Sequence, residues 1–419
     1  MNQVIDKPVA EHQAKVNESK VNESKVNESK VNKSAKNDVI ITNAHIVLAD
    51  EVVYGSLVVQ DGIITDISTS LSSVGCAIKN AIDAESDYII PGLVELHTDN
   101  LEKHFSPRPK VTWPGQPAVI AHDAQLIAAG ITTVFDAVAL GDVNEGSQRI
   151  ENLHLMLDAI TEAKNKQLLR AEHFLHLRCE VCHPDAVDLL TPLVDKDLVR
   201  LVSVMDHSPG QRQFTNMDKY RIYYQGKYHL SNDDLEQFMI KQRENSQRYS
   251  DQYRREIVAM CQARHIPIAS HDDATLAHVE ESAAFGMSIA EFPTTAIAAK
   301  QSHEQGMLVM MGAPNVVRGG SHSGNIAAHE LAAQGVLDIL SSDYCPASML
   351  HAAYKLSTLE NDYGLSAAIN TVTLNPATSV NLDDRGQIAI GKRADLVQMK
   401  IVDELPVVGH VYAQGRRVF

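Results

Sequence analysis

Residues 91–104 read PGLVELHTDNLEKH, an apolar strand that ends in a His-x-Asp pair and runs straight into cationic side chains. In an extended chain, alternate residues share a face, so His97 and Asp99 are expected on one side with Leu96 and Thr98 on the other. An imidazole nitrogen and a carboxylate oxygen on one side can hold one divalent metal. A metal held at a strand tip usually serves hydrolysis. The fold this stretch asks for is one in which several strand tips converge.

From about Tyr88 to Asp384 the chain supplies such tips. Apolar strand candidates alternate with helical runs, in the order YIIPGLVELH, TTVFDAV, FLHLRCEV, LVRLVSVMDH, IPIASHD, SIAEFP, LVMMGAPN and DILSSDYC. Strands separated by helical crossovers make a parallel sheet. Eight of them predict a TIM-like (β/α)8 barrel over residues 88–384. Both flanks are β-rich instead. DVIITNAHIVLAD and YGSLVVQDGIITDIS, with Asp61–Gly62 as a turn, precede the barrel; GQIAIGKRADLVQMKI and PVVGHVYAQGRRVF follow it. Residues 38–87 and 385–419 are therefore expected to form one small β-sandwich domain from both chain ends. Residues 1–37 carry a decaying KVNES repeat from Lys15 whose five-residue period suits neither helix nor strand, and they read as a disordered tail.

Composition narrows the function classes. Of 419 residues, 44% are hydrophobic, enough for a large core, and 53 acidic against 37 basic residues leave a net charge of −16. That balance argues against a nucleic-acid surface while leaving room for a local basic pocket. Five cysteines do not form a disulfide framework and suit a reducing cytoplasm. With no signal-like start and no apolar run long enough for a bilayer, a soluble, cytoplasmic protein without a membrane partner is expected. A homo-oligomer is compatible with all of this.

Metal-capable residues fall at the C-terminal tips of the strand candidates: His97 and Asp99, then Glu180, His207, His271 and Asp343. In a barrel these tips share one face, so three imidazoles and three carboxylates would meet there. They suffice for one or two zinc-like ions with positions left for water. Singly, each is more often a hydrogen-bonded structural residue, and nineteen histidines make coincidence easy.

The order of these tips, with NPATSVNL and RGQIAIGKRADLV near the C-terminus, resembles the amidohydrolase superfamily. The resemblance implies a metal-bearing barrel and a β-domain made from both chain ends. PGLVELHTDNLEKHFSPRP, AHDAQLIAAGITTVFDAV, MDHSPGQRQF and ASHDDAT are similar, more narrowly, to the branch that works in carbon–phosphorus lyase phosphonate catabolism. That likeness implies hydrolysis of α-D-ribose 1-methylphosphonate 5-triphosphate to the 5-phosphate and pyrophosphate. Many binuclear members carry His-x-His on the first strand and a modified lysine on the fourth. Here the pair is His97 and Asp99 and the bridging candidate is Glu180. The strand count puts Glu180 third and His207 fourth, the pattern of a subgroup with a third-strand glutamate, and leaves one or two ions open.

Substrate charge should show in the surrounding cations. Lys103, His104, Arg108 and Lys110 follow the first strand, restricted by Pro107 and Pro109. A triphosphate carries about four negative charges and favours Arg and Lys donors. Arg212 in HSPGQRQF and Arg318 in NVVRGGSHSGN are further candidates, and Gly319 and Gly320 could bring backbone N–H groups to phosphate oxygens. A merely solvated loop is the plainer reading of such charges. Cys179 and Cys182 form a C-x-x-C, but residues three apart on a strand face opposite sides, so a structural role is expected. Cys345, near Asp343, carries no mark of a nucleophile.

The expected mechanism has His97, Asp99, Glu180, His207 and His271 holding the ions, zinc first and manganese second. The ions would acidify a water, and Asp343 would orient it and accept its proton for attack on the α-phosphorus. Two rivals stand beside it: another hydrolase on the same scaffold, acting on an amide, a deaminatable base or a nucleotide diphosphate, and a catalytically silent scaffold, which the intact ligand set disfavours.

Overall fold

The computed structural model describes residues 38–69, 81–108, 111–142, 148–214, 217–321, 324–359 and 363–419. The repeat segment 1–37 and Lys110 lie outside them. The barrel strands are β1 (Leu93–Thr98), β2 (Ile131–Leu140), β3 (Glu172–Glu180), β4 (Val199–Met205), β5 (Ile268–His271), β6 (Ile289–Glu291), β7 (Leu308–Gly312) and β8 (Ile339–Ser341). Each pairs in parallel with the next in chain order, and all eight sequence candidates contribute one.

Alternation sorts the side chains of each strand. On β3, Leu175, Leu177 and Cys179 join the core between barrel and helices, while Phe174 belongs to the core inside the barrel. That interior core takes Val94 and Leu96 from β1, Phe135, Leu201, Ala269, Ile289, Met310 and Ile339, so every strand contributes and the barrel is filled, not hollow. Burying a side chain of this size is worth about 1.5–3 kcal/mol. The apolar floor leaves only the upper rim open to polar residues.

Closure uses little backbone. Between β1 and β8 there is one isolated bridge, Thr98 with Asp343, in which Asp343 N–H donates to His97 O at 3.0 Å and Asp99 N–H to Asp343 O at 2.7 Å. The Glu95 carboxylate reinforces the seam, accepting from His97 N–H and Ser342 N–H, each at 2.6 Å.

The two chain ends build one further sheet. Its order runs Arg416–Arg417, Leu405–Ala413, Leu396–Val402, Tyr88–Pro91, Val39–Val47, Val52–Gln60, Ile63–Ser68, with Ile82–Asp83 beside Val39–Val47. Segment 391–394 bonds back to Gly62 and Ile64, curling the sheet so that both halves cover one core of Ile41, Leu57, Ile64, Leu396 and Tyr412. One boundary shifts. YIIPGLVELH is not one strand: Tyr88–Pro91 pairs with Leu396–Val402 in the terminal sheet, and the barrel begins after Gly92. A Cβ at Gly92 would lie 2.2 Å from Thr132 Oγ1, so the change of sheet requires glycine there.

Between β4 and β5 the chain inserts helices Met217–Tyr228, Asn232–Asn245 and Asp251–Gln262. Phe214, Tyr220, Tyr224, Leu235 and Met239 form their core, together with Cys182. Cys179 and Cys182 thus lie in different cores, both as buried free thiols. Among the described residues no helix is long and apolar enough to cross a membrane.

Candidate active site

At the C-terminal rim a cavity is lined by His97, Asp99, Glu180, His207, His271 and Asp343, the six strand-tip residues read from the sequence. Each arrives by a different local route. Strand β1 ends at Thr98, and Asp99 sits before helix Asn100–Phe105 with φ −82° and ψ 3°. It is therefore not extended, as the sequence suggested, yet its Oδ1 lies 3.7 Å from His97 Nε2. Glu180 is the last residue of β3, the third strand; His207 follows the fourth and His271 ends the fifth. Asp343, just past β8, takes a left-handed φ of 55° and faces the same space.

Carboxylates below the rim set the imidazoles. His97 Nδ1 and His271 Nδ1 each lie 2.6 Å from one oxygen of Glu291, and His207 Nδ1 lies 2.5 Å from Glu180 Oε2. A carboxylate only accepts, so Nδ1 donates and Nε2 is the nitrogen presented to the cavity. The same bonds fix the protons. Burial opposes charging His97 and His207, but Glu291 and Glu180 outweigh it and push both up to about 10. Glu291 is buried, which by itself would raise its pKa, but the surrounding imidazoles hold it well below the usual carboxylate range.

Three further residues, absent from the sequence candidates, complete the site. Asp272, beside His271, places Oδ2 3.3 Å from His271 Nε2 and 3.6 Å from His207 Nε2. Glu291 ends the sixth strand, which was the signal available for it. Arg178 precedes Glu180 by two residues on β3, hence shares its face, and its Nη1 bonds Asp99 Oδ1 at 2.7 Å. Phe214, Tyr223 and Tyr224 from the insertion add an aromatic wall, with Tyr344 beside Asp343.

The expected substrate cations scatter. Arg318 lines the cavity. Lys103 is exposed and turned to Tyr344, donating to its carbonyl at 2.5 Å and lying 5.4 Å from its ring centre. His104 points into the protein, 3.0 Å from Gln125 Oε1, because helix Asn100–Phe105 carries it away from the rim. Arg108 is exposed, bridged to Val111, and does not line the cavity. Arg212 is a correction of another kind: its guanidinium is buried against Asp273 and Glu281, where two carboxylates already balance it.

The donor set fits a divalent ion. Among the described residues that line the cavity, two groups of ligand atoms converge within 4.8 Å, His207 with His271 and Asp272, and His97 with Asp99 and Asp343. Five carboxylates, Asp99, Asp142, Glu180, Asp272 and Asp343, line the cavity against the guanidiniums of Arg178 and Arg318. With the imidazoles neutral, as ligation requires, such a surplus of like charge in a partly buried site calls for a cation.

Comparisons with known proteins agree with this geometry. A sequence profile of the amidohydrolase family matches residues 224–419. The alpha-D-ribose 1-methylphosphonate 5-triphosphate diphosphatase of Escherichia coli (strain K12) is 53% identical over 382 residues, covering 91% of this chain and all of that protein. The fold is shared with 5-methylcytosine deaminase from Klebsiella pneumoniae, at TM-score 0.60 and 16% identity over 91% of this chain and 97% of that one. It is shared too with N-acetylglucosamine-6-phosphate deacetylase from Pasteurella multocida, at TM-score 0.57 and 13% identity over 91% and 99% of the two chains. By its strand-tip residues, its barrel and its full-length relative, the chain belongs to the amidohydrolase family.

Proposed function

We propose that this chain hydrolyses α-D-ribose 1-methylphosphonate 5-triphosphate to the 5-phosphate and pyrophosphate. The observation that carries the reading is 53% identity along the whole length of a relative with that activity. The cavity supplies a consistent chemistry. His97, Glu180, His207 and His271 would hold the metal, with Asp272 and Asp99 beside them. Zinc is our first assignment because imidazole and carboxylate suit a borderline ion, with manganese second. When bound, the ion supplies a Lewis acid that eases deprotonation of water and polarises a phosphoryl oxygen.

The protein's own groups do the rest. Glu291 and Glu180 keep the imidazoles in one tautomer, so that Nε2 stays directed at the cavity. Asp343 accepts a proton as the water oxygen bonds to the α-phosphorus. The bond from that phosphorus to its bridging oxygen breaks, and pyrophosphate leaves with the oxygen and the electron pair. Arg318 at the mouth meets the phosphate chain, and the aromatic wall of Phe214, Tyr223 and Tyr224 covers the sugar side. The four free cysteines among the described residues suit a reducing cytoplasm.

The test is release of pyrophosphate from this triphosphate by purified protein, set beside a panel of nucleotides and amides. Stoichiometric pyrophosphate and 5-phosphate are expected. Cleavage of an amide or a base with no action on the triphosphate would overturn the assignment.

A further inference from the structure

Arg178 is the one arginine or lysine that the barrel wall itself delivers to the cavity among the described residues; Arg318 comes from a helix end beyond β7. Phe174, His176, Arg178 and Glu180 stand on one face of β3, rising from the apolar floor to the rim. The guanidinium is mostly buried, its side chain 11% exposed, and it borders the same cavity as Asp343 and the three imidazoles. An arginine so placed loses hydration, and only a strong anionic contact offsets that loss. Asp99 provides one, at 2.7 Å. Asp99 in turn is the weakest of the candidate ligands by position. It sits outside the strand, and the oxygen nearer His97 Nε2, at 3.7 Å, is the one that bonds Arg178.

Resting on the triphosphate reading above, we infer that Arg178 is a substrate-binding residue for the phosphate chain and that Asp99 serves as its positioning partner instead of as a metal ligand. The pair then does for β1 what a second ion would do elsewhere. A fixed positive charge lies beside the imidazoles, where the departing pyrophosphate gathers charge. Its planar fork also matches phosphate oxygens in a way a lysine cannot. One ion, which His97, Glu180, His207 and His271 would hold with Asp272 nearby, completes the site. Every other cation expected from the sequence and described here, Arg318 excepted, is paired or directed elsewhere, which leaves this role to Arg178 and Arg318.

Three variants test the assignment: Arg178→Met, Arg178→Lys and Asp99→Asn. Metal per chain is measured by elemental analysis, pyrophosphate binding by calorimetry, and kcat and KM by pyrophosphate release. Wild type and all three variants are expected to carry one ion. In Arg178→Met, pyrophosphate binding and KM should each weaken roughly ten- to a hundredfold, the loss of one or two charge-assisted bonds. Arg178→Lys should recover part of this. Asp99→Asn should weaken pyrophosphate binding less than Arg178→Met while keeping its ion. Loss of metal in Asp99→Asn, or unchanged pyrophosphate binding in Arg178→Met, would overturn the inference. Pyrophosphate bound through Arg178 by a wild-type protein that does not cleave the triphosphate would overturn the substrate assignment alone.

Discussion

Two histidine–carboxylate clusters sit on opposite sides of the same barrel wall, one with its imidazoles lining the rim cavity and one packed behind it. At the rim, Glu291 spans His97 and His271 while Glu180 holds His207, and the second nitrogen of each ring meets Asp99 or Asp272, at 3.3–3.7 Å, carboxylates that line the open cavity with it. Behind the wall, Asp136 spans His122 and His173, each at 2.7 Å. There the second nitrogens meet protein: His122 Nδ1 lies 3.0 Å from Asn100 Nδ2, and His173 Nε2 lies 3.5 Å from Asp123 Oδ1. The residue types are the same. What separates them is strand parity: Asp136 and His173 share the outward face with Val134, Val138, Leu175 and Leu177, whereas Arg178 and Glu180 face inward. A ligand-like composition becomes a candidate site where the rings' far nitrogens and the carboxylates beside them open together onto one cavity.

That contrast can be broken most sharply by metal analysis. His271→Ala should lose its ion and essentially all turnover, while Asp136→Asn should keep a full complement of metal, as measured on dialysed protein. A drop in metal content for Asp136→Asn would make the outer cluster a site as well. Next in size is Asp343→Asn, which keeps shape but cannot take a proton. Its kcat should fall roughly 10²–10⁴-fold with metal content nearly unchanged. If it empties as fully as His271→Ala, Asp343 is chiefly a ligand.

Stability should respond in the opposite sense. Asp136→Asn takes from the buried His173 imidazolium its nearer carboxylate and leaves Asp123 alone at 3.5 Å, at a cost of up to about 3–5 kcal/mol, so its melting temperature should fall far more than that of Asp343→Asn. The pH dependence sharpens this. Burial opposes charging His173, but Asp136 and Asp123 raise it from 6.5 to about 9, so its stabilisation is complete below 6.5 and lost as pH rises through about 9. Burial holds His122 below 6.5, so its contribution is present above 6.5 and declines as the solution becomes more acid. The pair's contribution therefore peaks near pH 6.5. In metal-loaded protein, where the rim imidazoles are held neutral, His173→Gln should flatten the alkaline side of the melting curve. A slope unchanged by that substitution would place the titrating group elsewhere. The smallest effect expected is from deleting residues 1–37: the KVNES repeat has one apolar residue per period, and turnover should stay within about a factor of two.

The contrast also explains what the sequence could and could not disclose. The eight strands were legible because each is an apolar run bounded by helical segments, and the rim residues because each ends such a run. Arg178 was equally legible from its spacing to Glu180, but it lies inside a strand, where a cation reads as an error unless parity is followed. Glu291 and Asp272 were passed over for a simpler reason, since a carboxylate next to a histidine candidate adds little to a sequence pattern. The loop cations misled because nearness in sequence to a strand tip says nothing about direction. Helix Asn100–Phe105 turns His104 inward, and Arg212 is claimed by Asp273 and Glu281, which lie far along the chain. Pairings of that range leave no local mark.

The seam between β1 and β8 carries a last consequence, for the order in which the molecule assembles. The two backbone bonds that close the barrel belong to His97, Asp99 and Asp343, residues separated by nearly the entire barrel sequence. Contacts of such range form late, after the loop-closure entropy of everything between them has been met. The rim is thus finished in the same event that finishes the barrel, and a partly folded chain has no assembled active site. It follows that the amide protons of Asp99, Ser342 and Asp343 should exchange with solvent together, as one opening unit, and more slowly once metal spans the join.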